Sequence, residues 1–316
     1  MRCLVTGVAG FIGSTLAERL VALGHDVLGI DCFTDYYPRG NKEANLVKLR
    51  SGPRFTFQEL DLAVVDLAPL VKGADAIFHQ AAQAGVRASW GKTFETYTSC
   101  NVLATQRLLE AAKAAGTVER FVYASSSSVY GDTTDLPMRE TSRPRPFSPY
   151  GVTKLAAEHL AELYRENFGV PTVSLRYFTV YGPRQRPDMG FHRFIARLLR
   201  GEPLPVYGDG EQTRDFTFID DIVEANLLSL NEGAAGVYNI GGGSRVTLND
   251  VLATLGELTG RQVTLDRQGK QPGDVRHTAA DTSRARSELG YQPVVSLREG
   301  LARQVEWMRA NPEAWG

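Results

Sequence analysis

Residues 3–13 read CLVTGVAGFIG, a short apolar run that passes directly into glycines spaced G-x-x-G-x-x-G. Apolar residues at helical spacing follow from Phe11 to Leu23, and the pattern stops at Gly24. A turn this tight needs residues without a Cβ, and the free N–H groups at the start of the next helix suit a pyrophosphate. The stretch therefore predicts a strand–loop–helix unit that binds a dinucleotide, although a turn without any ligand shares the spacing.

The chain continues as an alternation of apolar strand runs and helical stretches. Strands are predicted at 27–30, 55–57, 76–78, 118–123 and 172–175, and long helices over 93–115 and 150–167. Strands that are apolar on both faces and alternate with helices indicate a parallel sheet covered on each side. With right-handed crossovers, the predicted fold class is α/β, a Rossmann-type doubly wound sheet.

The composition changes after Tyr177, where glycine and proline become frequent and the predicted helices and strands become shorter. We predict a Rossmann domain over residues 1–177 and a smaller mixed α/β lobe over 178–316. The lobe is expected to lie over the carboxyl ends of the strands, where open α/β proteins bind ligands. Segments near 219–240, a helix over 221–230 and a strand over 237–240, are expected to return to the main sheet.

Composition narrows the class of protein. The 316 residues are 43% hydrophobic and carry 35 basic and 36 acidic side chains, a net charge of −1. This balance argues against a disordered chain and against a general nucleic-acid binder. The N-terminus leaves no room for a signal peptide, and no apolar run approaches the ~18 residues of a spanning helix. We therefore expect a cytoplasmic protein that does not enter a membrane.

The cysteines and histidines do not have the spacing of a metal site. Cys3, Cys32 and Cys100 are too few and too scattered for a disulfide framework or a zinc site, so we expect buried free thiols. The five histidines show no ligand spacing, and His79, at a strand end lined with alanines, is interpreted as structural. No bound metal is predicted.

An acidic residue ends the second predicted strand. Asp31 stands where a carboxylate accepts hydrogen bonds from an adenosine ribose and repels a 2′-phosphate. This placement favours NAD over NADP, but Arg39 and Lys42 in the same loop leave NADP open.

Tyr150 and Lys154 lie four residues apart at the start of a predicted helix, so they share one face. A phenol with a pKa near ~10 is a poor base, and an ammonium beside it would lower that pKa. Ser126, just after the fifth strand, can bond a reacting alcohol and relay its proton to Tyr150. These three residues are the predicted catalytic set, for removal of a hydroxyl proton while hydride leaves the same carbon.

These motifs together resemble one superfamily. The glycine loop, the run ASSSSVYG at 124–131, the Tyr-x-x-x-Lys pair and the segment LRYFTVYGPR at 175–184 are similar to the extended short-chain dehydrogenases/reductases. Within that superfamily the chain looks like the NAD-dependent nucleotide-sugar epimerases and dehydratases. The resemblance runs nearly end to end, through 218–221, 239–241 and 273–276.

The resemblance implies oxidation of a sugar C4 hydroxyl to a ketone, after which other residues decide the product. Dehydratases of the family carry Asp-Glu, and decarboxylases a glutamate, where this chain has Ser127 and Ser128. Serines supply no carboxylate, so loss of water or a base-assisted route at C5 is disfavoured. The expected reaction is inversion at C4 of a UDP-sugar, with NAD held throughout.

The resemblance to the UDP-glucuronate 4-epimerase branch rests on HQAAQAGVR at 79–87 and DYYP at 35–38. In that branch the positions of Thr179 and Arg186 address the sugar carboxylate, which a guanidinium can bind through two parallel hydrogen bonds. A firm hold on that carboxylate would also keep the 4-keto uronate from losing CO₂. UDP-glucose 4-epimerase is the first alternative, followed by UDP-glucuronate decarboxylase and a non-catalytic NAD-binding protein.

Further site residues follow from the resemblance alone. Contacts with NAD are expected from Gly7, Gly10, Phe11, Ile12, Gly13, Asp31, Asp61, Leu62, Ala81, Ala82, Asn101, Tyr150, Lys154 and Tyr177. Contacts with the UDP-sugar are expected from Arg87, Ser126, Ser127, Thr179, Arg186, Phe191, Val206, Tyr207, Arg214 and Arg276. Arg214 and Arg276 match positions that contact the diphosphate, although each can equally form a structural ion pair. The resemblance also implies a homodimer that pairs the helices over 93–115 and 150–167.

Overall fold

A computed structural model of the chain describes residues 1–269 and 271–315. Its strands are β1 (Arg2–Thr6), β2 (Asp26–Asp31), β3 (Phe55–Glu59), β4 (Ala76–His79), β5 (Arg120–Ser126), β6 (Thr172–Tyr177), β7 (Val180–Tyr181), β8 (Leu204–Tyr207), β9 (Thr213–Asp215), β10 (Thr217–Phe218), β11 (Gly236–Ile240), β12 (Arg245–Thr247) and β13 (Leu265–Gln268). Its α-helices are α1 (Phe11–Ala22), α2 (Arg39–Arg50), α3 (Ala68–Val71), α4 (Phe94–Tyr97), α5 (Ala104–Ala115), α6 (Pro149–Phe168), α7 (Gly190–Arg200), α8 (Ile219–Leu228), α9 (Leu248–Thr259) and α10 (Leu297–Ala310).

Seven strands form one parallel sheet in the order β11-β6-β5-β4-β1-β2-β3. Every run predicted as a strand lies in this sheet, and the doubly wound α/β class is confirmed. The strand order reverses between β1 and β4, so the loops after these two strands diverge and open a crevice at the carboxyl edge.

The sheet is apolar on both faces because its strands are buried on both. Alternate residues point to opposite sides, so Val5 and Phe78 pack into one core cluster while Leu4 and Ile77 pack into the other. All four are essentially inaccessible to solvent. Burying each such side chain contributes about 1.5–3 kcal/mol. Two separate cores therefore cover the two faces of the sheet.

The helix expected over 93–115 is interrupted. The chain forms α4, then a π-helical turn over Thr98–Leu103, and only then α5. The wider turn brings Asn101 inward, where its side chain is 1% exposed and hydrogen-bonded. The cysteine prediction is also partly wrong. All three thiols are free, but only Cys3 is buried, and Cys32 is exposed because β2 ends just before it.

The C-terminal third builds small two-stranded sheets above the carboxyl edge, pairing β7 with β10, β8 with β13 and β9 with β12. Strand β11 of this third belongs to the main sheet instead, where it pairs with β6 at the edge. The domain division between residues 177 and 178 stays a prediction. Among the described residues, no helix is both long and apolar enough to cross a membrane.

Candidate active site

The glycine loop between β1 and α1 leaves its backbone open toward the crevice. Gly7 has φ +67°, and the Gly10 N–H donates to the Gly7 carbonyl at 3.0 Å. A Cβ on Gly13 would stand 2.2 Å from the Gly7 oxygen, so only glycine fits. Helix α1 begins at Phe11 without a side-chain cap, so its first N–H groups stay available. The loop fits the pyrophosphate of a dinucleotide.

Asp31 is held at the end of β2 by backbone donors. Its Oδ2 accepts the Ala9 N–H at 3.1 Å, and its Oδ1 accepts the Phe33 N–H at 2.8 Å. A carboxylate has about four acceptor positions, so two stay available for ribose hydroxyls. Burial raises the pKa of Asp31, and the positive charge of Lys42 opposes that shift.

Arg39 and Lys42, the two basic side chains that could bind the 2′-phosphate of NADP, have partners inside the protein. Arg39 donates to both Glu59 oxygens at 2.8 and 2.7 Å. The Lys42 ammonium donates to the Thr34 carbonyl at 2.8 Å. A 2′-phosphate would compete with both arrangements, so the local geometry favours NAD.

One cleft, called here the dinucleotide cleft, collects most of the residues predicted to contact NAD. It is lined by Gly7, Gly10, Phe11, Ile12, Gly13, Asp31, Asp61, Leu62, Ala81, Ala82, Tyr150, Lys154 and Tyr177.

Asn101 does not line the dinucleotide cleft. Its amide donates to the Gln83 carbonyl at 3.0 Å and to the Thr153 hydroxyl at 2.9 Å, and it accepts the Gln83 N–H at 2.7 Å. Because Thr153 lies between Tyr150 and Lys154, Asn101 ties the π-helical turn to the helix that carries both. Asn101 therefore positions that helix, and its direct contact with NAD stays a prediction.

Helix α6 places Tyr150 at its first turn. Ser148 caps the helix by accepting the Gly151 N–H at 3.1 Å, and Pro149 occupies the first helical position. Lys154 lies one turn later on the same face, with its Nζ 4.5 Å from the centre of the Tyr123 ring. Ser126, at the end of β5, lines a cleft together with Tyr150. The three predicted catalytic residues thus meet at the carboxyl edge.

Burial sets the protonation of this group. It raises the pKa of the Tyr150 phenol, whereas the nearby Ser126 hydroxyl and the charge of Arg186 lower it. Burial also lowers the pKa of the Lys154 ammonium to about 7, and the carboxylate of Glu158 opposes that shift. Burial has the largest effect on the phenol, so the expectation that Lys154 and a bound NAD lower the pKa of Tyr150 stays a prediction.

A second cleft, called here the sugar cleft, opens beside the first with a volume of about 620 Å³. That size is typical of small-molecule sites. Of the residues predicted for the UDP-sugar, it is lined by Arg87, Ser126, Ser127, Thr179, Arg186, Phe191, Tyr207 and Arg214. Tyr150 and Arg186 line both clefts. The phenol therefore lies where the two clefts meet.

Two predicted substrate contacts lie outside the sugar cleft. Val206 is fully buried in β8 and points into the core, because its neighbours Pro205 and Tyr207 take the cleft-facing positions. Arg276 lines an adjoining outer cavity and donates to both Asp209 oxygens at 2.7 and 2.9 Å. The contacts expected from these two residues with the UDP-sugar stay predictions that the lining of the sugar cleft does not favour.

The other predicted cations differ in how they are partnered. Arg87 donates to both Asp274 oxygens, one of them at 2.6 Å, and stacks 4.2 Å from the Tyr207 ring centre. Arg214 donates to the carbonyls of Thr213, Val275 and Arg276, at 2.7–3.2 Å. Because carbonyl oxygens carry no full charge, Arg214 keeps its positive charge for an anion.

Several residues at the site gave no signal in the sequence analysis. Glu158, one turn beyond Lys154, accepts the Ser125 hydroxyl at 2.5 Å and could have been found by helical spacing. Gln80, just after β4, and Asn226, in α8, hydrogen-bond the Tyr177 hydroxyl at 3.1 and 2.8 Å from positions far apart in the chain. No periodicity links those positions, so only the folded chain reveals them. Among the described residues, no group of three His, Cys, Asp or Glu side chains is placed to hold a metal ion.

Comparison with known proteins places the chain among one family of enzymes. The model of the NAD dependent epimerase/dehydratase family matches residues 3–241. A Bacillus subtilis (strain 168) protein, the uncharacterized UDP-glucose epimerase YtcB, is 45% identical over 311 residues, 98% of this chain and 98% of that one. The UDP-glucuronate 4-epimerase of Thermodesulfobacterium geofontis (strain OPF15) is 37% identical over 314 residues, 98% of this chain and 97% of that enzyme. The crystal structure of UDP-glucuronic acid 4-epimerase from Bacillus cereus, in complex with UDP-glucuronic acid and NAD, is similar with a TM-score of 0.95 and 43% identity, covering 98% of this chain and 99% of that one.

Proposed function

The chain belongs to the NAD dependent epimerase/dehydratase family, and on that premise we propose that it inverts C4 of a UDP-sugar, with UDP-glucuronate as the favoured substrate. The observation that carries this proposal is the position of Tyr150, where the dinucleotide cleft and the sugar cleft meet. A base at that junction lies within reach of a hydroxyl on the sugar and also borders the cleft that would hold the cofactor.

The dinucleotide cleft fits NAD. The glycine loop would hold the pyrophosphate, Asp31 the adenosine ribose, and Lys154 the end of the cleft next to Tyr150. When bound, NAD supplies a hydride acceptor and donor and a positive ring beside the phenol. The family's dependence on NAD confirms the prediction made from Asp31.

Tyr150 acts as the base that takes the proton from the C4 hydroxyl, and Ser126, which lines the sugar cleft together with Tyr150, relays that proton. Because burial favours the neutral phenol, deprotonation depends on positive charge nearby. Arg186 supplies part of that charge, and Lys154 supplies more when it is protonated. The 4-keto sugar rotates in the cleft so that it presents its other face, and Tyr150 then returns the proton. The configuration at C4 is inverted and no net oxidation occurs.

Residues 127 and 128 direct the reaction toward inversion. Ser127 lines the sugar cleft and Ser128 follows it in a short 3₁₀ turn, and neither carries a carboxyl group. Elimination of water requires an acid and a base at the ring, and hydroxyls with pKa values far above neutrality supply neither. These two serines therefore favour inversion at C4 over loss of water.

UDP-glucuronate is favoured because Thr179 and Arg186 both line the sugar cleft. A guanidinium matches the planar carboxylate at C6, which a neutral hexose lacks. The similar enzymes from T. geofontis and B. cereus bear the name of this activity. UDP-glucose is the second candidate, because the similar B. subtilis protein is named a UDP-glucose epimerase.

Proton NMR on the purified protein tests the proposal. UDP-glucuronate and UDP-glucose are given in turn, without added NAD, and the anomeric signals are followed. Inversion of UDP-glucuronate at C4 with no pentose product is expected. If UDP-glucose alone is inverted, the uronate assignment is wrong. Should neither sugar react even after NAD is supplied, the chain is not an epimerase of these sugars.

The Tyr150→Phe variant separates an enzyme from a protein that only binds. Removing the hydroxyl should abolish turnover, by about 10³-fold or more, while NAD and UDP-sugar binding persist. Tyr164→Phe is the matched control, since Tyr164 lies on the same helix and its hydroxyl bonds Glu110 and Gln106 away from both clefts. Equal activity of Tyr150→Phe and the unmodified protein would leave only the binding function.

We further propose a cytoplasmic homodimer. Helix α6 exposes Val152, Leu163 and Phe168 by 50–54%, and Leu103 of the neighbouring π-helical turn is 47% exposed. Apolar side chains on adjacent helices favour a partner surface. All three cysteines are free thiols, which suits a reducing compartment. Light scattering that gives a monomer mass at micromolar concentration would contradict the dimer.

A further inference from the structure

The loop that carries Arg186 is anchored from several directions. The Gln185 side chain donates to the Val180 carbonyl at 3.0 Å and accepts the His192 N–H at 2.9 Å and the Gln304 amide at 3.0 Å. Gln185 is 3% exposed, so these bonds are shielded from water. The backbone on either side of Gln185 is therefore fixed relative to β7, α7 and α10.

Arg186 and Asp188 form a two-point ion pair on this loop. The Arg186 Nε–H donates to Asp188 Oδ1 at 2.9 Å, and an Nη2–H donates to Asp188 Oδ2 at 2.9 Å. These two bonds use one edge of the guanidinium. Arginine has five N–H donors, so the Nη1–Nη2 edge can still bind a second carboxylate through two hydrogen bonds.

The Arg186–Asp188 pair lies at the wall of the clefts, where a bound sugar could reach it. Arg186 lines both clefts, and Thr179 lines the sugar cleft near it. On its other side, Asp188 accepts a bond from the Tyr36 hydroxyl at 3.4 Å, so the carboxylate has donors from two separate loops. The Arg186 and Asp188 side chains are 21% and 31% exposed. The pair is thus held at the cleft wall, partly shielded from solvent.

We infer that Asp188 is a positioning residue that fixes Arg186 for a substrate carboxylate and so sets the preference for a uronate over a neutral hexose. This inference rests on the proposed function and goes beyond it by naming a residue that need not touch the substrate. The ion pair holds the guanidinium plane before the sugar arrives. Because the Arg186 side chain is already ordered, the substrate does not have to order it, and the entropic cost of binding is lower.

The alternative is that Asp188 competes with the substrate for Arg186. Its contacts argue against competition, because Asp188 uses the Nε edge and lies two residues away on an anchored loop. A competitor would occupy the Nη1–Nη2 edge, and Nη1 makes no bond to Asp188. The two ideas predict opposite changes when the charge at position 188 is removed.

The test compares NAD-loaded unmodified protein with Asp188→Asn and with the control Asp135→Asn, an exposed aspartate of another loop. Calorimetry gives Kd for UDP-glucuronate and UDP-glucose, and NMR gives kcat, KM and any pentose product. Asp188→Asn should weaken UDP-glucuronate binding about tenfold and raise the pentose fraction. Its Kd and kcat for UDP-glucose should stay within about twofold, as should all values for Asp135→Asn. Asp188→Glu, which keeps the charge, should recover part of the loss.

Three results would overturn the inference. Tighter binding of UDP-glucuronate by Asp188→Asn would identify Asp188 as a competitor. If Asp188→Asn binds both sugars equally more weakly, or if its melting temperature falls and it binds neither sugar, then Asp188 has a general structural role. Equal affinity of the unmodified protein for the two sugars would show that no preference exists to be set. Turnover of UDP-glucuronate by the unmodified protein, measured separately, tests the proposed function independently.

Discussion

Glu158 and Arg176 form a buried, doubly hydrogen-bonded ion pair directly behind the residues that line both clefts. Arg176 donates to both Glu158 oxygens, at 3.0 and 2.5 Å, and Glu158 also accepts the Ser125 hydroxyl at 2.5 Å. The pair joins β5, β6 and α6, the three elements that carry Ser126, Tyr177 and Tyr150. The packing of the catalytic edge therefore depends on one satisfied pair of charges.

Replacing Glu158 with Gln should destabilise the protein by about 3–5 kcal/mol, because it leaves the buried Arg176 charge without an opposite charge. Urea unfolding measures the change in free energy. Glu162→Gln is the matched control on the same helix, where the carboxylate only approaches an exposed histidine at 3.6 Å, and it should change stability by less than about 0.5 kcal/mol. Equal unfolding midpoints for the two variants would contradict this account of the pair.

Replacing Gly13 with Ala should remove bound NAD. The added methyl group would overlap the Gly7 carbonyl oxygen, so the loop must open and lose its fit to the pyrophosphate. We expect NAD content, measured by absorbance after denaturation, to fall at least about tenfold. Gly40→Ala serves as the control, since Gly40 lies in α2 with no atom in the way of a Cβ. Gly40→Ala should keep its NAD and change stability by at most about 1 kcal/mol. Full NAD content in Gly13→Ala would contradict the role of this loop.

His79 should make the protein sensitive to mild acid. The imidazole is fully buried between the hydroxyls of Thr6 and Thr105, at 2.7 and 2.9 Å. Burial lowers the pKa of His79 to about 3, and the charge of Lys154 adds to that shift. In the unfolded chain the pKa is about 6.5, so only the unfolded chain binds a proton between these two values. Stability should therefore fall as the pH drops below about 6.5, at up to about 1.4 kcal/mol per pH unit from this group.

Urea unfolding at pH 7.5, 6.0 and 5.0 measures that slope. His79→Gln can keep hydrogen bonds to both threonines and should show a flatter slope over the same range. His159→Gln, at an exposed position of α6, should keep the original slope. If the slope of His79→Gln matches that of the unmodified protein, then His79 does not govern the acid response.

Arg214 and Arg276 should differ in their importance for the nucleotide. Arg214 is bonded to backbone carbonyls, whereas Arg276 is exposed and already paired with Asp209. Arg214→Met should weaken UDP binding by about 10–100-fold, the range of one or two charged hydrogen bonds. Arg276→Met should weaken it by less than about threefold, because binding by Arg276 first breaks its pair with Asp209. Calorimetry with UDP decides the matter, and similar losses in both variants would show that Arg276 also reaches the diphosphate.

Much of this molecule follows from local sequence patterns. Apolar strands alternating with helices fix the parallel sheet, because a strand buried on both faces can contain few polar residues. The glycines at 7, 10 and 13 fix the first loop through the space that a Cβ would need. Tyr150 and Lys154 are fixed relative to each other by the pitch of one helix. These features depend on residues that are close in the chain, so they can be predicted from the sequence alone.

The partners of the charged side chains are a property of the folded chain. Arg276 meets Asp209, and Arg87 meets Asp274, across large gaps in sequence. Asn101 turns inward because a π-helical turn replaces a regular one, which no spacing of apolar residues encodes. A guanidinium on a flexible stem reaches many positions, and the loops packed around it select one. The sequence by itself therefore determines the sheet, the cofactor loop and the reacting pair, while tertiary packing decides which cation is left to meet the substrate.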